Sequence, residues 1–508
     1  MDLPKIEIVD TTLRDGEQTS DVSFSGQEKL SIAKTLLLDV NVDRLEVASV
    51  ILSKDEKESV KRIGEWAHKN GLQDRIEALG FVDFGKSVQW LLDCKVKTLN
   101  LLAKGSKRHC EMQLGKTLEM HSEDVRQNVA LARSKGLAVN VFLEDWSNGM
   151  RDSKEFVFGM VEGLKGSGVK RFFLPDTLGN LSPEETALFV GEMAAKFPWT
   201  EFEFHAHNDY GLATANSLAA AHAGAKAVHV TVNGLGERAG NAPLDETVVC
   251  LKDKGGFSVG VDETQLYNAS KIIEAFSGKR VSQNKPISGD NVFTQTAGIH
   301  ADGDKKGRLY ENELLPQRFG RRREYALGKL TGKASIEMNL RRLGMELSGE
   351  QVKAVRNRVV ELGEKKEKVT TADLPFIVSD VLASGENGKK ASIEKCVSKS
   401  GLGAKPSARV RVDVFGKKFE ETGGGNGGYD AFMNALKKIS KKAGFRLPEL
   451  LDYEVRIPPG GKTDAIVEAT ITWKSGKSNV FKTIGVDSDQ LMAAVKATEK
   501  MLNVVAKK

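Results

Sequence analysis

The sequence lacks several features that would assign it quickly to a class. Its four cysteines lie far apart, at Cys94, Cys110, Cys250 and Cys396, and form no CxxC pair. This spacing argues against a thiolate zinc site and a disulfide framework, and it favours a reducing compartment. No apolar run reaches the ~18 residues of a membrane span, and the start, MDLPKIEIVD, has no basic region followed by an apolar segment. We therefore expect a cytoplasmic protein.

The chain also lacks an excess of one charge. Its 75 basic and 69 acidic residues give a net charge of +6, and the basic residues are scattered. A nucleic-acid site would need a concentrated basic stripe, so we expect neither nucleic acid nor a membrane as a partner. Hydrophobic residues make up 40% and charged residues 28% of the 508 positions, a composition typical of globular proteins. This length predicts two or three domains.

Eight apolar, β-branched runs are present in the first half of the chain. They lie at residues 6–13, 43–50, 75–82, 98–105, 138–145, 171–178, 201–208 and 227–234. Segments with helical spacing separate them, and one of these opens with Ser182, Pro183 and Glu185, a capping-box pattern. Strand and helix alternating eight times over about 250 residues predict a (β/α)8 TIM barrel. An open doubly wound sheet is the alternative.

Polar side chains follow the predicted strands at the point where each strand ends. Strand alternation sends His205 and His207 to the same face, and Asp15 follows the first strand. In a barrel these strand ends converge on one mouth, where Asn241 of the last loop could add an amide oxygen. Imidazole, carboxylate and amide groups can bind a divalent ion (Mn²⁺, Zn²⁺ or Mg²⁺) that would polarise a substrate carbonyl. The alternative is two hydrogen-bonded histidines at a strand end.

Three longer motifs carry a resemblance to a known family. DTTLRDGEQ (10–18), HAHNDYGLATAN (205–216) and NGLGERAGNAPLDE (233–246) resemble the signature segments of the α-isopropylmalate, homocitrate and citramalate synthases. The resemblance continues through FTQTAGIHADGDKKG (293–307) and into the tail. Within the family, FLEDWSNGMR (142–151) and LNLLAKGS (99–106) are most similar to the bacterial citramalate synthases.

The resemblance implies a Claisen-type condensation of acetyl-CoA with a 2-oxo acid, followed by hydrolysis of the thioester. The first expectation is pyruvate converted to (R)-citramalate for isoleucine biosynthesis. The alternative is 2-oxoisovalerate converted to 2-isopropylmalate for leucine biosynthesis. An amino acid, isoleucine or leucine, would then be the feedback inhibitor.

The resemblance also assigns roles to individual residues. Asp15, His205 and His207 would bind the metal with Asn241 nearby, and Arg14 would neutralise the alkoxide that grows on the 2-carbonyl. The base system would comprise Glu144 and His300, with His300 in the same chain or in a second subunit. Thr177 would bind the substrate carboxylate, and Tyr310 would lie near the thioester. Leu79, Leu102 and Phe142 would form an apolar wall around the methyl group of pyruvate, with Phe142 in place of a tyrosine.

Three domains are predicted. They are a catalytic barrel (1–260), helical linker subdomains that complete the active site (261–384) and a C-terminal α+β domain (385–508), with a linker at 382–392. The last domain resembles the regulatory domain of the leucine- and isoleucine-inhibited synthases, which binds an amino acid at a dimer interface, so we expect a homodimer. GGGNGG (423–428) invites a nucleotide-site interpretation, but no GK[ST] follows. Glycines that permit a close approach to an amino acid or a partner subunit are the better interpretation.

Two other classes of function use similar motifs. The hydroxymethylglutaryl-CoA lyases share the RDG and HxH elements on the same barrel, but they carry a catalytic cysteine in the loop after strand eight. GLGERAGN has no cysteine at that point. A non-catalytic sensor is the third possibility, and the intact set of candidate catalytic residues argues against it.

Overall fold

The computed structural model divides into two compact units, residues 1–293 with 312–322 and residues 294–311 with 323–508. The residues that the structure describes are 3–50, 53–295, 307, 309, 312–364, 374–383, 390–401, 403–456, 467–476, 479–487 and 489–505. The predicted domain boundaries remain a prediction. In the described ranges no helix combines the length and the apolar character that a membrane span requires.

The first unit contains a closed barrel of eight parallel strands in the order β1 to β8. The strands are β1 (Glu7–Asp10), β2 (Arg44–Ser49), β3 (Ile76–Phe81), β4 (Thr98–Lys104), β5 (Ala138–Glu144), β6 (Arg171–Asp176), β7 (Glu201–Ala206) and β8 (Ala227–Val230). All eight predicted strands are therefore confirmed, and the open-sheet alternative is wrong.

Helices surround the barrel, and all of them except the three-residue helix Lys107–His109 bury apolar side chains. They are α1 (Gly26–Lys34), α2 (Lys54–Lys69), α3 (Lys86–Asp93), α4 (Lys107–His109), α5 (Leu118–Ser134), α6 (Trp146–Asp152), α7 (Lys154–Gly163), α8 (Pro183–Lys196), α9 (Ala213–His222), α10 (Leu244–Asp253) and α11 (Leu266–Ser277). The predicted capping box at Ser182 and Glu185 is present, and each such cap stabilises a helix start by about 1 kcal/mol.

The lower part of the barrel interior is polar rather than filled with branched aliphatic residues. Arg44 donates to Glu77 at 2.7 Å and to Glu203 at 2.5 Å. Glu203 also lies 3.0 Å from the imidazole of His229. Removing one partner from such a buried ion-pair network would leave an unpaired charge and cost several kcal/mol, about 3–5. This network fills the barrel interior below the strand ends that carry the candidate site residues.

The second unit contains a helical part and two small sheets. Its helices are α12 (Lys333–Arg342), α13 (Gly349–Glu364), α14 (Leu374–Ala383), α15 (Gly428–Ala443) and α16 (Gln490–Val505). Its strands are β9 (Thr294–Gln295), β10 (Glu324–Tyr325), β11 (Ala391–Gly401), β12 (Ala404–Val414), β13 (Lys417–Gly424), β14 (Glu449–Arg456), β15 (Val467–Ser475) and β16 (Asn479–Asp487).

The described part of residues 261–384 contains four α-helices, α11 to α14, and the described residues between α11 and α12 form mainly turns and short bridges. The predicted linker at 382–392 is too long. Its first two residues end α14 and its last two begin β11, while 384–389 lie outside the described residues.

The C-terminal sheets form a structural repeat. Strands β11–β13 are antiparallel and followed by α15, and β14–β16 are antiparallel and followed by α16. A Cβ at Gly423 would lie 2.4 Å from backbone atoms of α15, and one at Gly485 would lie 2.0 Å from a carbonyl of α16. Gly423 belongs to GGGNGG, so one close approach that this motif permits is to a helix of its own unit.

Candidate active site

The barrel mouth brings together three predicted metal ligands. Asp15 lies just after β1, while His205 and His207 lie at the end of β7. The Asp15 Oδ2 atom is 3.0 Å from His205 Nε2 and 3.8 Å from His207 Nε2. One ligand atom from each residue lies within 4.8 Å of the others, and all three side chains are buried. This spacing suits a divalent ion with coordination positions left open to a substrate.

Asn241 lies beside this triad, because its backbone pairs with that of His207 in an isolated β-bridge. Its side-chain nitrogen donates to the Leu235 carbonyl at 3.1 Å. Its Oδ1 atom is buried and accepts no hydrogen bond from the residues that the structure describes. A buried polar atom without a partner is costly. An ion beside the triad would satisfy this oxygen, so the donor set fits a metal.

Burial sets the protonation of the triad. Loss of solvent lowers the pKa of His205 and of His207 to about 4, and the neighbouring Asp15 only partly opposes this effect. Burial alone would raise the pKa of Asp15, but the Arg14 guanidinium and His205 hold it far below its usual value. Neutral imidazoles and an ionised carboxylate are the forms that bind a metal near pH 7.

Arg14 lies at the edge of the triad and is held from two sides. Its guanidinium is 3.2 Å from Asp15 Oδ2, and its Nε donates to Glu46 Oε2 at 2.6 Å. It also lies over the ring of Phe142, 5.4 Å from the centroid. A fixed cation in this position needs no rearrangement to meet a negative charge that develops during a reaction.

An apolar cluster lines the barrel interior next to the triad. Leu79, Phe142 and Phe173 are buried together, and Leu102 packs against them. Phe142 meets Phe173 edge to face at 4.7 Å and His205 at 5.8 Å between ring centroids. The structure thus brings the three predicted wall residues together. Phe173 was not identified from the sequence as a wall residue, because a phenylalanine inside a strand has no feature that distinguishes it from other core residues.

Thr177 and Glu144 lie at the ends of neighbouring strands. The Thr177 hydroxyl accepts a hydrogen bond at 2.9 Å from the backbone N–H of Asp145, so its own proton is available to a ligand. Glu144 forms an ion pair with Lys104. Lys104 was also missed in the sequence, where it stands within LNLLAKGS without an evident partner.

A further missed residue is Arg238, in the loop after β8. Its Nε and Nη2 atoms donate to the two carboxylate oxygens of Asp209 at 2.8 and 3.0 Å, and Nη2 also donates to the Thr177 carbonyl at 2.8 Å. Asp209 is two residues beyond His207. Arg238 therefore joins three loops that each carry a candidate site residue. Such bidentate pairs fix geometry as well as charge.

The remaining predicted site residues, His300 and Tyr310, lie outside the described residues. Their roles stay predictions.

Three family profiles match consecutive parts of the chain. The HMGL-like profile matches residues 5–273, the homocitrate synthase post-HMGL domain-like profile matches 287–367, and the LeuA allosteric (dimerisation) domain matches 368–506. The first of these contains the barrel and its candidate metal ligands, and the last contains the repeated sheets.

Curated relatives match nearly the whole chain. The (R)-citramalate synthase CimA of Methanocaldococcus jannaschii is 34% identical over 504 residues, which cover 98% of this chain and 99% of that protein. A Methanopyrus kandleri protein named "Probable 2-isopropylmalate synthase" is also 34% identical, over 509 residues and 99% of each chain. Among solved structures, the HMG-CoA lyase of Bacillus subtilis aligns with a TM-score of 0.49 and 21% identity, covering 56% of this chain and 98% of that one.

Proposed function

We propose that this chain condenses acetyl-CoA with pyruvate to give (R)-citramalate. The premise is that the chain belongs to the HMGL-like family and is a Claisen-condensing acyltransferase of the citramalate and isopropylmalate synthase type. The observation that supports this substrate most directly is the buried apolar cluster beside the candidate metal ligands. The full-length synthase relatives and the LeuA domain favour a synthase over a lyase.

The first element of the proposal is a divalent cation held by Asp15, His205 and His207, with the unpartnered Oδ1 of Asn241 beside them. Such an ion acts as a Lewis acid toward the 2-carbonyl of the oxo acid. Mn²⁺, Zn²⁺ and Mg²⁺ are the candidates, because the donor set mixes nitrogen and oxygen.

The second element is the chemistry of the chain's own residues. A C–H bond of the acetyl methyl group breaks, and its proton passes to the base system of Glu144 and His300. The resulting carbanion attacks the 2-carbonyl carbon of pyruvate and forms the new C–C bond, while the C=O π electrons move onto the oxygen to give an alkoxide that solvent then protonates. Arg14 faces the oxygen on which the alkoxide charge then grows, and Thr177 donates to the substrate carboxylate. Water hydrolyses the thioester and releases coenzyme A, with Tyr310 near that group.

The third element is selection by size. Leu79 and Phe142 are at most 6% exposed, and Phe173 is fully buried behind Phe142. A methyl group can contact this wall, whereas an isopropyl group must displace packed side chains at a cost of about 1–3 kcal/mol. Pyruvate is therefore the preferred oxo acid.

A second candidate is 2-isopropylmalate synthesis from 2-oxoisovalerate. It is favoured by the relative of that name, which is as similar to this chain as the citramalate synthase is. In both cases the C-terminal domain would bind an end-product amino acid, isoleucine in the first and leucine in the second, within a homodimer.

The test uses purified full-length enzyme, stripped of metal and then supplied with Mn²⁺, Zn²⁺ or Mg²⁺. Thiol release from acetyl-CoA is measured with pyruvate, 2-oxoisovalerate and 2-oxoglutarate, and the product is identified by mass spectrometry. Metal-dependent thiol release with pyruvate and a citramalate product are the expected results. Thiol release that needs no metal, or that requires 2-oxoglutarate, would contradict the proposal.

A further inference from the structure

The carboxyl ends of β4 and β5 carry a charged pair inside the barrel mouth. Lys104 and Glu144 are the last residues of their strands and are register partners across the two strands. Strand alternation places them on the same face as the register pair Leu102 and Phe142, which belongs to the apolar cluster. Lys104 is thus aimed at the candidate active site rather than at the helices.

The pair is shielded from solvent. The Lys104 Nζ atom contacts Glu144 Oε2, and the two side chains are 14% and 24% exposed. Exposed pairs of this type contribute little, whereas shielded ones constrain geometry more strongly. Among the residues that the structure describes, none other donates to the Glu144 carboxylate. Lys104 is therefore the group that fixes the orientation of this carboxylate.

The backbone around Lys104 is itself anchored. Its N–H donates to His121 Nε2 at 2.9 Å, and the N–H of the next residue, Gly105, donates to the Glu144 carbonyl at 2.6 Å. A Cβ at Gly105 would lie 2.4 Å from the Leu143 carbonyl, so only glycine allows β4 and β5 to approach this closely. The ammonium group is consequently presented from a rigid support.

We propose that Lys104 is a positioning residue for the condensation. Through its ion pair it holds Glu144 in the orientation from which the base system removes the acetyl proton. This inference rests on the proposed function. Lys104 donates to Oε2 of Glu144, so the proposal assigns proton removal to the other carboxylate oxygen, Oε1.

The experiment compares full-length wild type with K104M, K104Q, K104R, E144Q and K104M/E144Q under saturating metal. Misplacement of a reacting group by about 1 Å costs about 100-fold, so K104M and K104Q should lower kcat by about that factor. KM for pyruvate and for acetyl-CoA should change little, since the proposal gives Lys104 no contact with either substrate. K104R keeps the charge and should recover part of the lost kcat. The double variant should have the kcat of E144Q alone, because both changes remove the same interaction.

The matched control is K116M. Lys116 forms a comparably close pair with Asp124 of α5, outside the barrel, although Lys116 is more exposed than Lys104, at 31% against 14%. K116M should keep the wild-type kcat. Metal content and the melting temperature of every variant are measured in parallel, so a folding defect in K104M is recognised and K104Q then carries the comparison.

The outcomes separate this inference from the proposed function. If the wild type releases thiol with pyruvate but a folded K104M or K104Q keeps the wild-type kcat, the positioning role is wrong and the proposed function stands. The positioning role would also be wrong if the fold-losses of kcat in K104M and E144Q multiply in the double variant. If the wild type releases no thiol with any of the three oxo acids, both fall together.

Discussion

Replacing Leu79 by alanine should shift the substrate preference toward larger 2-oxo acids. Leu79 is 6% exposed and packs with Phe142 and Phe173 beside the candidate metal ligands. The change removes three side-chain carbons, whereas 2-oxoisovalerate exceeds pyruvate by two. If the new space accepts the two extra carbons of 2-oxoisovalerate, burying each of them stabilises the bound transition state by about 0.8 kcal/mol. That is roughly 15-fold in the ratio of kcat/KM values, since 1.4 kcal/mol corresponds to tenfold.

The assay measures kcat/KM for pyruvate, 2-oxobutyrate and 2-oxoisovalerate by thiol release. Leu99→Ala is the matched control, because Leu99 is also buried but belongs to the core between the barrel and the helices. Both variants should lose about 2–5 kcal/mol of stability, so both are assayed below their melting temperatures. If L79A and L99A have the same ratio of kcat/KM values for 2-oxoisovalerate and pyruvate, Leu79 does not form part of the wall that selects the substrate. A general loosening of the barrel would affect both variants alike.

Three further predictions concern the metal, the loops and the regulatory domain. His207→Ala should lower metal affinity and reduce turnover by orders of magnitude while leaving the fold intact; near-normal turnover of a variant verified as metal-free would contradict the Lewis-acid role. Arg238→Ala should weaken metal binding about 10-fold, as loss of other supporting contacts around metal ligands does, and calorimetry that finds wild-type affinity would show that the Asp209 clamp is dispensable. A chain ending at residue 384 should lose feedback inhibition; full-length enzyme that ignores both isoleucine and leucine at millimolar levels would show that the domain has another role.

The barrel and its candidate metal ligands could be predicted from the sequence because both depend on local pattern and topology. Alternating strands and helices imply closure, and closure brings the ends of β1 and β7 together, as the contact between Asp15 and His205 shows. Side-chain partners across the interior are different. Arg44 reaches Glu203, 159 positions away, because strand register and shear fix that contact. Alternation alone determines only which face a residue occupies.

The same limit applies to the residues that the sequence left unassigned. Phe173 resembles any core phenylalanine until the structure packs it against Phe142. Lys104 has no recognisable partner until β4 and β5 are set in register. Arg238 lies in a glycine-rich loop, where its conformation, with φ of +57°, could not be inferred from local preference. In each case the missing information is the relative placement of elements distant in sequence.

The central claim, a metal-dependent condensation that prefers pyruvate, is tested most directly by competition in one vessel. Metal-loaded enzyme receives acetyl-CoA with equal concentrations of pyruvate and 2-oxoisovalerate, and the two products are quantified early in the reaction by mass spectrometry. Their ratio equals the ratio of the kcat/KM values, whatever the individual constants are. The wall predicts citramalate in clear excess. An excess of 2-isopropylmalate would contradict it and assign this enzyme to the larger oxo acid.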